Sequence, residues 1–381
     1  NQTRALHRDF DTLMPWEAGW FSHLTPLVER AAPHLVARWL AIAEKFFRVP
    51  AVCDIEGRCA WALVELGSLS AEVGALETAD GDALLPGLDT LAALIRRNSD
   101  AAGLFRHRAA AMAHDCAVLI EAMDFRFLHD EDRKLFVIGY SVTDGRRDNS
   151  YYDLLASESR LASLVAIAKG DAPQEHWFRL GRQLTPVDGA GRALVSWTAT
   201  MFEYLMPLLV TRDYSETLLD QTYSSVVARQ IAYGREQGVP WGISESAYNA
   251  RDLQFNFQYG PFGVPGLGLK RGLSDDLVIA PYATVLASMV APREALHNMH
   301  RLTQTGALAR YGFYEAIDYT PERLPKNRKQ VVIKSFMAHH QGMSLVALDN
   351  VLHGDVMQQR FHADPLIQAT ELLLQERIPQ G

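Results

Sequence analysis

Apolar residues recur along the first 120 positions at the spacing of a helix face: Leu35, Trp39, Leu40 and Ile42, then Leu63, Leu66 and Val73, then Leu85, Leu88, Leu91 and Leu94. A stripe of that period has to be buried, so this third of the chain predicts a set of packed helices. Met112, Cys116, Leu119 and Met123 carry the pattern as far as Asp124. There the period changes. Phe125, Phe127, Leu135, Val137 and Ile138 alternate around the polar turn from Asp130 to Lys134, which predicts a β-hairpin. Helical patterning resumes over 151–168, 200–211 and 218–233. Between Pro240 and Pro281 it dissolves into a stretch rich in Gly, Pro and aromatic residues, too long for a plain connector and of the kind that tends to carry function. Further helices are predicted over 282–290, 292–303, 338–352 and 365–377, with Pro292 and Pro365 suited to first turns.

Roughly a dozen helices joined by irregular loops, with no internal repeat and no linker, fit a closed double ring of helices. The expectation is one mainly all-α domain over residues 1–381. Residues 1–122 supply its first helices, and 123–381 supply the hairpin, the catalytic loops and the remaining helices. The aromatic-rich loops around Tyr151 and Tyr259 line one mouth of the ring.

Composition narrows the function. With 37 Lys and Arg against 45 Asp and Glu, the net charge of −8 gives no basic footprint for nucleic acid. Apolar runs such as 109–120 and 154–168 fall short of the ~20 residues a bilayer span needs, so no direct membrane insertion is expected of this chain. It opens on Asn-Gln-Thr with no leader-like apolar core, which reads as a fragment of a larger, multidomain protein. Cys53, Cys59 and Cys116, an odd number in apolar helical surroundings, read as reduced core thiols in a reducing compartment.

Familiar catalytic signatures fail one by one. The series Gly263, Gly266, Gly268, Gly272 lacks dinucleotide spacing and follows no strand, and reads as a flexible loop. His339 and His340 are adjacent rather than one helical turn apart, so no metal is expected, and no cofactor. Ser141 and Ser244 lack the nucleophile elbow, and Cys116 lies in a helical stretch without a polar neighbourhood suited to a thiolate.

Four glutamates remain in apolar or aromatic sequence: Glu158, Glu203, Glu245 and Glu315. A carboxylate so placed either pairs with a cation, here Arg160, Arg251 or Arg310, or sits in a cleft where its pKa can rise as a general acid requires. Aromatic residues nearby fit a sugar ligand: Tyr151, Tyr152, Trp197, Trp241, Tyr248, Tyr259, Phe262 and Tyr314 could stack on pyranose faces. Asp148, Asp153, Arg251, His339, His340 and Gln341 could bond its hydroxyls.

The strings around these residues resemble the glycoamylase-like central domain of bacterial cyclic β-1,2-glucan synthases. They are Met-Asp-Phe-Arg-Phe-Leu at Met123, Ser-Tyr-Tyr-Asp-Leu-Leu-Ala-Ser-Glu at Ser150, Met-Phe-Glu-Tyr-Leu-Met-Pro at Met201, Trp-Gly-Ile-Ser-Glu-Ser-Ala-Tyr-Asn-Ala-Arg-Asp at Trp241 and Met-Ala-His-His-Gln-Gly-Met at Met337. The resemblance implies an (α/α)6 barrel and an anomer-retaining transglycosylase that closes linear β-1,2-glucan into a ring. A plain endo-β-1,2-glucanase and a non-catalytic glucan-binding module are the alternatives. It also implies Glu245 as nucleophile and Glu158 as acid/base, with Glu203 and Glu315 in reserve. The parent protein would be membrane-bound, with this part on the cytoplasmic side of the bacterial inner membrane.

Overall fold

The computed structural model describes residues 19–47 and 51–377; the reading of the first residues, Asn-Gln-Thr with no leader-like core, lies outside them. The chain sorts into two compact units, Asn1–Met123 and Asp124–Gly381, each with its own hydrophobic core. The expected single domain over 1–381 thus carries two hydrophobic cores, and the unbroken helical period before Asp124 hides the point where one stops and the other begins.

In the first unit, α1 (Trp20–Ala31), α2 (Val36–Phe47), α3 (Val52–Gly74) and α4 (Ala79–Ala122) are helices as the period predicts. Their buried stripes interlock: Leu24 and Val28 of α1, Trp39 and Ile42 of α2, Leu66 and Leu69 of α3, Leu84, Leu88, Leu91 and Ile95 of α4. Leu40 is exposed instead. The burial of α4 ends at Ala102. At 1.5 Å per residue α4 is about 66 Å long against about 35 Å for α3, so its last turns outrun their partner. Met112, Leu119 and Met123 are therefore exposed rather than packed. The thiols divide likewise: only Cys59 lies in the core, while Cys53 and Cys116 are exposed.

The second unit is mainly helical with small antiparallel sheets. Its hairpin pairs His129–Asp130 with Leu135–Val137, and Tyr151–Tyr152 adds a third strand on the far edge of the latter. Phe125 and Phe127 are not strand residues: Arg126–Leu128 is a 3-10 turn. Nor is 151–168 one helix. Asp153 and Leu155 are tied to Gly181 by backbone hydrogen bonds, and helix α5 begins only at Arg160 and runs to Lys169.

Among the described residues, four helices begin beside the loops that carry the candidate chemistry: α5, α7 (Met201–Leu205), α9 (Pro281–Leu286) and α11 (Ala338–His353). Each is followed by another helix: α6 (Glu175–Arg179), α8 (Leu218–Glu236), α10 (Pro292–Gln304) and α12 (Val356–Phe361); α13 (Pro365–Thr370) packs back on α5. Within this unit these described helices run as four consecutive pairs, the alternation of an (α/α) barrel. Pro292 and Pro365 occupy first turns as predicted. The long loop after Pro240 is not structureless: Ser246–Arg251 and Phe257–Gly260 pair as a hairpin, and Val278–Ile279, Ala316–Asp318 and Val331–Ile333 form a sheet.

Candidate active site

A cavity of about 630 Å³ opens in the second unit, and Glu158, Glu203 and Glu245 all line it, with Tyr151, Tyr152, Asp153 and Trp197. Three segments far apart in sequence thus deliver carboxyl groups to one space. Glu158 sits on the turn entering α5, Glu203 in the first turn of α7, and Glu245 at the start of the hairpin strand Ser246–Arg251.

None of these carboxylates has the arginine partner that would make it a structural ion pair. Arg160 is buried and donates to the backbone oxygens of Ser157, Glu203 and Tyr204 and to the Tyr223 hydroxyl. It pins the α5 entry to α7. Arg251 lies over the Phe257 ring and Arg310 over Tyr311.

The three carboxyls differ in environment. Glu203 is saturated: it accepts from the Ser196 and Thr200 hydroxyls, the Thr198 backbone and hydroxyl, and the Thr200 backbone, and the last bond is one half of a capping box at the start of α7. Such a carboxylate holds the 196–200 loop in shape. Glu158 accepts only from the neighbouring Ser157 hydroxyl among side chains, at 3.1 Å. Burial raises its pKa, and the charges of Glu203 and Glu245 add to the rise, against its own backbone N–H and Ser157. Burial also raises Glu245; the Tyr259 hydrogen bond, then the charge of His340, act against it, and the charges of Glu203 and Glu315 add to the rise.

Those opposing groups form a line. The Tyr259 hydroxyl donates to Glu245 Oε1 at 2.7 Å and lies 3.3 Å from His340 Nε2. His340 Nδ1 lies 3.0 Å from Glu315 Oε2. Glu315 is 2% exposed, so it stands behind the histidine and away from solvent. The elements explain the meeting: Glu315 precedes the central strand Ala316–Asp318, Glu245 precedes the hairpin, the Ala247 N–H donates to Glu315 Oε1, and His340 is in the first turn of α11.

The remaining expected residues scatter. Asp153 accepts from the half-exposed Trp197 indole at 2.9 Å, fixing it on the cavity wall. Tyr151 donates to Asp130. Trp241 and Phe262 are core residues, 4% and 5% exposed, and cannot stack on a sugar. Their Gly- and Pro-broken surroundings turn out to be packed. Tyr248 donates to Gln258 and meets the Phe262 edge, outside the cavity. Asp148 bonds the backbone of Gly139 in a surface turn. Tyr314 and Gln341 line a separate cavity of about 240 Å³ that Glu315 and His340 also border. His339 is exposed beside His340, its pKa lowered by burial and by that neighbour.

Sequence reasoning missed Arg133, Ser157, Thr198 and Pro261 on the cavity wall; all are short-range loop residues with no periodic signature. It also took Gly263 and Gly268 as flexible. A Cβ at either would strike the backbone at 198–199, so the two glycines allow close packing against the loop that bears Trp197. Among the described residues no group of His, Cys, Asp and Glu could hold a metal ion, and no helix is long and apolar enough to cross a membrane.

Over 259 residues, 68% of this chain, the sequence is 53% identical to the cyclic beta-(1,2)-glucan synthase NdvB of Rhizobium meliloti (strain 1021). The match takes up only 9% of that protein, so the chain spans about a tenth of its relative's length. An endo-beta-1,2-glucanase from Chitinophaga pinensis, solved with sophorotriose and glucose, superposes with a TM-score of 0.50 at 15% identity, over 82% of this chain and 69% of that one. A beta-1,2-glucanase from Parabacteroides distasonis gives 0.48 at 15%, over 82% and 44%. At such identity the first of these likenesses speaks to the fold alone, and it agrees with the helical architecture. The family model Glycoamylase, described as "Putative glucoamylase", matches residues 150–365. That span exceeds half the chain and contains all four glutamates, and the protein belongs to the Glycoamylase family.

Proposed function

We propose that this chain is the catalytic part of an anomer-retaining transglycosylase that cuts linear β-1,2-glucan and rejoins it to its own far end as a ring. The observation that carries the reading is the convergence of Glu158 and Glu245, from distant segments, on one cavity in contrasting environments. The substrate class comes from the high identity to a protein named for cyclic β-1,2-glucan synthesis.

Pairs of carboxyls whose surroundings differ divide the work of acid and nucleophile. Glu158, whose pKa burial and two other carboxylates raise, serves as acid. Glu245, bonded by Tyr259 and beside His340, is the better carboxylate and serves as nucleophile. Glu158 protonates the departing glycosidic oxygen as Glu245 forms an ester bond to the anomeric carbon. The released half leaves, and the 2-hydroxyl of the far end enters. Glu158, now a carboxylate, takes that hydroxyl's proton while the oxygen displaces Glu245, restoring both groups. Trp197, rigid and exposed in the cavity, offers the stacking face that holds a sugar in register against water. The match takes up only 9% of the relative, and this domain would belong to a larger protein, membrane-bound, with this part facing the cytoplasm.

The test is incubation with linear β-1,2-glucan and mass analysis, since a ring lacks one water. Cyclic product is expected. Glu158→Gln should cut turnover by about 10²- to 10⁴-fold, and Glu245→Gln should abolish it. Short linear products would mark a glucanase instead. Binding without turnover in the unaltered chain would leave a glucan-binding module.

A further inference from the structure

We infer that Glu315, His340 and Tyr259 are positioning residues that act through Glu245 as a hydrogen-bonded line, and do not themselves contact the sugar. The inference rests on Glu245 being the nucleophile.

The geometry fixes the count of protons. Three links join the four groups: Glu315 to His340, His340 to Tyr259, and Tyr259 to Glu245. A hydroxyl has one proton to donate. While Tyr259 gives it to Glu245, its oxygen faces His340 Nε2, which must then carry a hydrogen. The Glu315–His340 link needs a hydrogen as well, so the pair holds two between them. A hydrogen on Nε2 leaves the Tyr259 hydrogen to Glu245, where it favours the charged form.

The surroundings hold the buried end of the line in place, while Tyr259 is 40% exposed. The Tyr282 ring stacks on His340 with centroids 3.7 Å apart and planes 13° apart, and its hydroxyl donates to the Glu245 backbone oxygen. His340 is 1% exposed. The titratable groups facing it are Glu315, Tyr259, Tyr282 and His339, with the Glu245 charge beyond the tyrosine. With Oε1 engaged by Tyr259, the other Glu245 oxygen is the one aimed at the anomeric carbon.

The experiment is a double-mutant cycle on the whole chain, with kcat/KM followed against pH and folding checked by thermal unfolding. Tyr259→Phe should lower kcat/KM by about tenfold to a hundredfold, the loss expected for a hydrogen bond to a charged group, and move the acidic limb upward, because Glu245 loses the hydroxyl that favours its ionised form. His340→Gln keeps an N–H donor toward the Tyr259 oxygen, so alone it should cost less than Tyr259→Phe and leave the alkaline limb, which Glu158 sets as acid, in place. In the Tyr259→Phe background His340→Gln should have no further effect, since coupled residues are non-additive. Glu315→Gln tests the same line should His340→Gln fail to fold, and it too should have no further effect in the Tyr259→Phe background. Additive losses with the acidic limb unmoved would overturn the line. If Glu245→Gln still turns over, the nucleophile assignment itself falls; if it is dead and the cycle is additive, only the line does.

Discussion

At the scale of single residues, the site is held together against its own electrostatics. Glu158 and Glu245 are pushed up by burial and by neighbouring carboxylates, and the sign of the consequence can be worked out. A carboxyl whose pKa is higher folded than unfolded keeps its proton in the fold over the window between about 4.3, the unfolded value, and the raised value. There the native state binds more protons, so stability falls as pH rises through the window. Replacing Glu158 by Gln removes a group whose charged form the fold disfavours. The variant should gain on the order of a few degrees of thermal stability at neutral pH and nothing near pH 4, even as it loses turnover. Thermal unfolding at the two pH values checks this. A loss at neutral pH would mean the fold solvates the Glu158 charge better than water does, and the acid role would have no physical basis.

Elements position these residues, and the loop at 196–200 shows how. It is braced from one side by Glu203 and from the other by Gly263 and Gly268. Ala199 in this loop takes a positive φ of 57°, strain that surrounding bonds must hold. Gly263→Ala would place a methyl group against the Thr198 carbonyl, so it should cost about 1–3 kcal/mol and displace Trp197. Activity should fall more than stability alone explains, read as loss of kcat/KM at temperatures where the variant is folded. Here the line between what sequence reveals and what it conceals is sharp. The helix periods of α8, α10 and α11 were legible because each buries one stripe, and the glutamates were legible because acids in apolar sequence need a reason. Glu203's five donors, the glycine contacts and the Glu315–His340–Tyr259 line were not, since they join positions up to 81 residues apart through bonds that leave no period. Trp241 and Phe262 misled for the converse reason: aromatic residues in broken sequence read as a cleft, and these two fill the core.

For the molecule as a whole, the number of cooperative units the chain contains sets how it unfolds. A continuous helical period argued for one, yet the buried residues fall into two clusters with no member in common, and all four glutamates lie in the second unit. Chains built on separate cores depart from two-state unfolding. Leu66, at 1% exposure in the first core, and Leu205, fully buried in the second, are matched probes, and Leu→Ala at either should cost about 2–5 kcal/mol. Calorimetry should resolve two transitions, with Leu66→Ala lowering one and Leu205→Ala the other. Thermal inactivation should follow the transition that Leu205→Ala moves, because the cavity is built only from residues of that unit. A single transition lowered equally by both variants, with activity lost in step, would instead make residues 1–381 one domain. The first helices would then be part of the catalytic body, since no residue of a shared core can be weakened without weakening the site.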